Sequence, residues 1–198
     1  RFVDTYYAKY AKNSSKDWRD WPYVTGDGGT QGADGYLRVV GRVDDVINVA
    51  GHRLGTKELE SAALTVNEIS EAAAVPAFDE LKGRVPELYV SLKPNVDSSK
   101  VEDLVKQAVS TIIGPIARPS EVWITSDLPK TRSGKIMRRV IASISNFMDV
   151  GDVTTLANPE VVDDIRKQVQ AAKVKAGNVP DNLPDAVKKE IERFGGEE

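Results

Sequence analysis

The chain has 198 residues, 40% hydrophobic and 29% charged, with a formal net charge of −3; it can bury a core in one or two compact units and lacks the basic footprint of a dedicated nucleic-acid binder. Zero cysteines and a single histidine, His52, exclude disulfides, zinc-thiolate sites, a cysteine nucleophile and a histidine metal cluster. No apolar run approaches the roughly 20 residues that span a bilayer, and the first residues carry no signal-peptide pattern, so a cytoplasmic setting is the default expectation.

Residues 21–42, WPYVTGDGGTQGADGYLRVVGR, set short apolar runs at 23–24 and 36–40 among glycine and aspartate, and predict short strands joined by tight turns, with Asp34-Gly35 at a hairpin turn. Residues 43–54, VDDVINVAGHRL, predict a second strand pair that turns at Ala50-Gly51. Thr56 is placed to cap the helix that follows. Glu58 and Glu60 lie in its first turn, and Leu59, Ala62, Ala63 and Val66 share one face. Strands are expected over 72–75 and 88–92, a helix over 98–113, a strand over 122–125 and a helix after Gly134. Strands and helices that alternate without regular βαβ repetition predict an α+β fold, with helices flanking a small mixed sheet. The tail from Gly151 holds one amphipathic stretch, 161–172, and its last dozen residues are expected to fray.

The stretch DLPKTRSGKIMRR, residues 127–139, gathers Lys130, Arg132, Lys135, Arg138 and Arg139 around Ser133-Gly134. Pro129 ends the preceding strand, Ser133-Gly134 permits unusual backbone angles, and the pattern from Ile136 reads as a helix with Lys135 among its first residues. A cation at that end of a helix costs about 0.3–1 kcal/mol. An anion held by the free N–H groups and the lysine would offset that cost. Residue types alone leave three readings open: a solvated basic turn, a phosphate or carboxylate site, and a nucleic-acid contact.

TGDGG with Asp27, GRVDDVINVAGHRLGT (41–56) and LPKTRSGKIMRR (128–139) closely resemble the carboxy-terminal motifs of the AMP-forming acyl-CoA synthetases, in the adenylate-forming superfamily of luciferases and peptide-synthetase adenylation domains. IGPIARP (113–119) and DVTTLANPEVV (152–162) resemble the acetyl-CoA synthetases and their short-chain relatives, so the likeness runs over most of residues 21–165. It implies ATP and AMP, coenzyme A and Mg²⁺ as cofactors, the Mg²⁺ held mainly through ATP and an amino-terminal domain. It also implies a reaction in which acetate or another short carboxylic acid is adenylated and passed to coenzyme A. Carried onto matching positions, the resemblance makes Asp27 the acceptor of ribose hydroxyls, Arg42 a ribose or phosphate contact, and Asp44 the hinge of a small mobile domain. It makes Gly51 the place where the pantetheine arm of coenzyme A nears the backbone, Arg53 a phosphate contact, and Lys135 the catalytic cation between carboxylate and α-phosphate. Without the resemblance, Asp27 and Asp44 read as turn residues and Arg42 as a surface ion-pair partner. His52 is expected to pack or hydrogen-bond rather than to transfer protons. Acetylation would remove the Lys135 charge, so a lysine acetyltransferase and deacetylase are candidate partners.

The same resemblance divides the chain into residues 1–43, the end of a large amino-terminal adenylation domain, 44–150, the small carboxy-terminal domain, and 151–198, an extension. One departure concerns coenzyme A: Ser110 and Thr111 stand before Gly114-Pro115 where a basic contact is expected. The acyl group is unreadable, and propionate is an alternative to acetate. A non-catalytic nucleotide or coenzyme A module, and a nucleic-acid module, are the rival classes; titration with AMP, coenzyme A and nucleic acid separates them.

Overall fold

The computed structural model describes residues 27–42, 45–180, 183 and 187. The chain divides into two compact units, Arg1–Asp44 and Asp45–Glu198. The expected strand at 23–24, residue Asp44 and nearly all of the tail beyond residue 180 lie outside the described residues.

In the first unit, β1 (Asp27–Gln31) and β2 (Leu37–Arg42) pair antiparallel with a register shift at Gly28/Gly29. The turn between them is closed by Gly35 N–H to the Gly32 carbonyl at 2.9 Å and by Tyr36 N–H to Asp34 Oδ1 at 3.1 Å. Aspartate fastens the turn through its own side chain, and Gly35 takes the positive φ of +82° that a Cβ would resist.

The second unit opens with β3 (Val46–Val49) and β4 (His52–Gly55), joined by a two-residue turn at Ala50-Gly51. Both turn residues have positive φ, +46° and +88°, as a type I′ hairpin turn requires. Alanine is strained there. Ala50→Asn, which supplies the residue type favoured at this turn position, is expected to stabilise the chain by about 1 kcal/mol; a urea midpoint that stays put or falls would contradict it.

The next element, α1 (Thr56–Ala63), begins one residue earlier than a Thr56 cap would place it. Gly55 is the capping residue and makes no side-chain cap. The chain is still extended at Gly55, and the Thr56 N–H is already bonded to the Asp45 carbonyl at 3.1 Å. Thr56 is therefore helical, with its hydroxyl buried and without a protein partner.

A three-stranded sheet follows, in the order β5 (Ile69–Asp79), β6 (Gly83–Leu92), β7 (Glu121–Thr125), with β5 and β6 antiparallel and β6 and β7 parallel. Both hairpin strands run well past the expected 72–75 and 88–92. Pro76 and Pro86, which suggest strand ends, stand opposite each other in register. β5 is an edge strand, and β7 pairs only with residues 87–91 of β6; proline is tolerated where no ladder donor is needed. The parallel return from β6 to β7 is made by α2 (Val101–Ile112) and a short 3₁₀ turn, Pro115–Ala117. Residues 98–100, expected to be helical, form the turn into α2, fastened by Asp97 accepting from Ser99 N–H at 2.9 Å. The remaining helices are α3 (Arg138–Ser145) and α4 (Glu160–Lys175).

Both sheet faces are covered. Leu88, Val90, Ala74 and Val122 pack with Ile47, Leu59 and Val105 in one core, while Tyr89, Ala73 and Val75 pack with Ile141, Ile144, Ile165 and Val169 in the other. Successive residues of a strand point to opposite faces, so β6 sends Leu88 and Val90 one way and Tyr89 the other. Each such fully buried side chain contributes about 1.5–3 kcal/mol of transfer free energy. α4, from the segment expected to be an extension, supplies Val161, Val162, Ile165 and Val169 to the second core.

Candidate active site

The basic stretch 127–139 does not present five free cations. Lys130 Nζ pairs with Glu71 at 2.6 Å and Asp127 at 2.7 Å. Arg138 forks onto Glu60, Nε to Oε1 at 2.5 Å and Nη2 to Oε2 at 2.6 Å. The Arg139 guanidinium donates to the Val150 carbonyl at 2.8 Å. Arg132 and Lys135 stay exposed, and among the described residues the Lys135 ammonium makes no ion pair.

Lys135 is not at a helix start. The Thr131 N–H bonds to the Lys135 carbonyl and the Gly134 N–H to the Thr131 carbonyl, both at 2.9 Å, and the Met137 N–H reaches the Pro129 carbonyl at 2.8 Å. These bonds, with the Lys130–Ile136 bridge, make residues 129–137 a tight hairpin that runs directly into α3, with Lys135 three residues before the helix. Gly134 holds φ +81° at its tip. The expected helix over Lys135 gives way because the Lys135 carbonyl and the Met137 N–H bond across the hairpin, so helical bonding begins only at the Met137 carbonyl. The helix-dipole argument for an anion at Lys135 therefore does not apply. What places the ammonium is a rigid stem under an exposed tip.

Electrostatics stiffen that stem. Burial acts to raise the Asp127 carboxyl, but hydrogen bonds from Lys130, the Leu128 N–H and Asn158 outweigh it and hold the group below its usual range. Burial likewise opposes the charge on Lys130, and Asp127 and Glu71 more than restore it. Arg138 is held cationic first by the hydrogen bonds of Glu60, against partial burial. Glu60 itself is 4% exposed and also accepts the Ala74 N–H at 3.1 Å, so one carboxylate ties α1, β5 and α3 together. Sequence reading set Glu60 in a first helical turn beside the dipole. Its partner 78 residues away carried no local signal.

The other expected site residues fall into two groups. Asp27 and Arg42 belong to the first unit, where the β1–β2 register sets them opposite each other. Gly51 sits exposed at the β3–β4 turn, and no atom lies within 4 Å of where its Cβ would be. Arg53 follows on β4, exposed and opposite Asn48. His52 is exposed too and does not enter the core. At the end of α2, the Ser110 hydroxyl turns back onto the Lys106 carbonyl at 2.7 Å, and Lys106 pairs with Glu102. Among the described residues no cluster of three His, Asp or Glu side chains could hold a metal. These residues alone do not fit a Mg²⁺ site. Two clefts, of about 300 and 420 Å³, flank Phe78 and Asn146, and neither is lined by Gly51, Arg53 or Lys135.

Residues 58–135 fit the family model described as the AMP-binding enzyme C-terminal domain. An acetyl-coenzyme A synthetase of Gemmatimonas aurantiaca is 43% identical over 86% of this chain and 25% of its own length, and one of Rubrobacter xylanophilus is 44% identical over 87% and 26%. A solved structure, the anthranilate CoA ligase AuaEII in complex with anthranoyl-AMP, is 29% identical with a TM-score of 0.56, over 61% of this chain and 24% of that one. Residues 58–135 thus form an AMP-binding enzyme C-terminal domain, and the findings together support a carboxy-terminal region of an acetyl-coenzyme A synthetase. It spans about a quarter of the length of the curated relatives it matches. No helix among the described residues is long and apolar enough to cross a membrane.

Proposed function

We propose that this chain is the carboxy-terminal part of an ATP-dependent ligase that adenylates acetate, or a similarly short carboxylic acid, and then transfers the acyl group to coenzyme A. The observation that carries this reading is the exposed Lys135 ammonium, which makes no ion pair among the described residues while Lys130, Arg138 and Arg139 of the same basic stretch are taken up internally. A carboxylate oxygen attacking the α-phosphorus of ATP brings two anions together while the bond to pyrophosphate breaks. An ammonium between them offsets the repulsion and stabilises the charge that develops. Next, the thiol sulfur of coenzyme A attacks the acyl carbon and AMP departs, with the thiol proton lost to solvent.

The remaining roles follow the same reading. Asp27 accepts ribose hydroxyls as a carboxylate suited to two adjacent donors, and Arg42 and Arg53 hold ribose and phosphate oxygens. Gly51 lets the pantetheine arm pass close to backbone with no Cβ in the way. Rotation at Asp44 exchanges the Lys135 hairpin for the Gly51 turn between half-reactions. Mg²⁺, if brought in with the nucleotide, would neutralise phosphate charge without a ligand from the described residues. Lys135, being exposed, is accessible to a lysine acetyltransferase and deacetylase that would switch adenylation off and on.

The test is carboxylate-dependent exchange of pyrophosphate into ATP. The complete ligase is expected to exchange with acetate and less well with propionate. The 198-residue chain by itself is expected to give no exchange, because Lys135 acts on a substrate held by another part of the protein. Exchange by the isolated chain, or none by the complete protein with any short carboxylate, would overturn the reading.

A further inference from the structure

We infer that residues 156–158, far along the chain from the catalytic loop, form the outer strand of the Lys135 hairpin, and that Asn158 is a positioning residue for Lys135. The inference rests on the role of Lys135 proposed above.

Residues 129–131 are the middle of three extended segments. On one side lie 135–137, joined by the bonds of the hairpin itself. On the other side Leu156 bridges Thr131 in antiparallel fashion, and the Ala157 N–H donates to the Lys130 carbonyl at 2.8 Å. Asn158 then uses its whole side chain on the stem. Its Oδ1 accepts the Lys130 N–H at 2.9 Å, and its Nδ2 donates to Asp127 Oδ2 at 2.8 Å and to the Leu128 carbonyl at 2.9 Å. An amide offers both a donor and an acceptor in one plane, and here each faces a complementary group. Asp127 in turn holds Lys130, which also reaches Glu71 on β5.

The lever arm gives this clamp a functional meaning. Arg132, Ser133, Gly134 and Lys135 are exposed, so no packing at the tip fixes the ammonium. Its position is inherited from the stem four residues away. Phosphoryl transfer catalysed by a placed charge is sensitive to about 1 Å of misplacement, worth on the order of 10²-fold in rate. Loss of the Asn158 amide leaves Asp127, Leu128 and Lys130 each short of a partner at the base of that arm.

The experiment has two readouts. In Asn158→Ala, backbone amides of residues 130–137 are expected to exchange hydrogen at least about tenfold faster, while those of α2 keep their protection. In the complete ligase the same variant is expected to lose roughly 10- to 100-fold in adenylation, with thioester formation from supplied acyl-adenylate unchanged, since Lys135 does not serve that step. Ala157→Pro, which removes the N–H that bonds Lys130 and keeps the Asn158 amide, while fixing φ at 157, is expected to loosen the same amides to a smaller degree. Unaltered exchange in the hairpin, or equal loss of both half-reactions, would overturn the inference. The exchange readout needs no activity: if the wild-type ligase failed to adenylate, faster hairpin exchange would still uphold the clamp and unchanged exchange would still defeat it.

Discussion

Lys135→Ala is expected to lower acetate adenylation by the complete ligase by roughly 10²–10³-fold or more, the effect typical of removing one preorganised electrostatic stabiliser. The hairpin should survive the change, because its bonds run through the Lys135 backbone and not its ammonium: Lys135 donates its N–H to Thr131 Oγ1 at 3.2 Å and accepts from the Thr131 N–H. The rest of the nucleotide site is untouched, so the loss should fall on the rate of the first half-reaction. Supplied with ready-made acetyl-adenylate, the variant should form acetyl-CoA at close to the wild-type rate. Normal adenylation by the variant, or a thioester step lost as fully as the first, would refute the role given to Lys135.

Glu87→Leu is expected to destabilise the chain by about 3–5 kcal/mol, the range for stranding one charge of a buried pair. Glu87 and Lys173 are 3% and 7% exposed, and their charged atoms meet at 2.6 Å. The second carboxylate oxygen accepts from Ser145 at 2.6 Å, Trp123 Nε1 at 3.2 Å and the Tyr89 hydroxyl at 3.3 Å. Burial first, and then the Glu87 charge, push the Tyr89 phenol well above its ordinary range, so it remains a donor. Removing Glu87 would leave the Lys173 ammonium with only the Ser145 carbonyl and hydroxyl, at 2.8 and 3.1 Å. The double variant Glu87→Leu with Lys173→Met should recover part of the loss, since the stranded ammonium is gone while Ser145, Trp123 and Tyr89 still lack the acceptor that Glu87 supplied. Urea unfolding of the single and double variants decides it; a single variant that costs under about 1 kcal/mol would mean the pair is solvated. The pair joins β6 to α4 and so anchors the segment that also carries Asn158.

The β3–β4 hairpin and the interior of α1 were legible because their signals are local: a turn at Ala50-Gly51, and Leu59, Ala62 and Ala63 on one face at helical spacing. The full length of β5 and β6 was not legible, since Pro76 and Pro86 stand within the strands where no ladder donor is required. The motif carrying Lys135 was legible as a resemblance, and its local conformation was not. Sequence periodicity from Ile136 favoured a helix, while Leu156, Ala157 and Asn158 recruited residues 128–131 into an extended mount.

By itself the sequence determined the α+β class, the alternation that lets β6 face two cores, and the presence of more positive charge around Ser133-Gly134 than an acidic chain needs for solubility. Only the tertiary structure decided which of those charges is free. Lys130 and Arg138 are neutralised by Glu71 and Glu60, partners 59 and 78 residues distant in sequence, just as Lys173 on α4 is by Glu87, 86 residues away. An ion pair between side chains that far apart leaves no periodicity to read. It forms when folding removes both groups from water and the cost of leaving either unpaired exceeds the entropy of holding them together. Lys135, lifted into solvent by the turn at Gly134, is exempt from that pairing, and its charge remains available to a substrate.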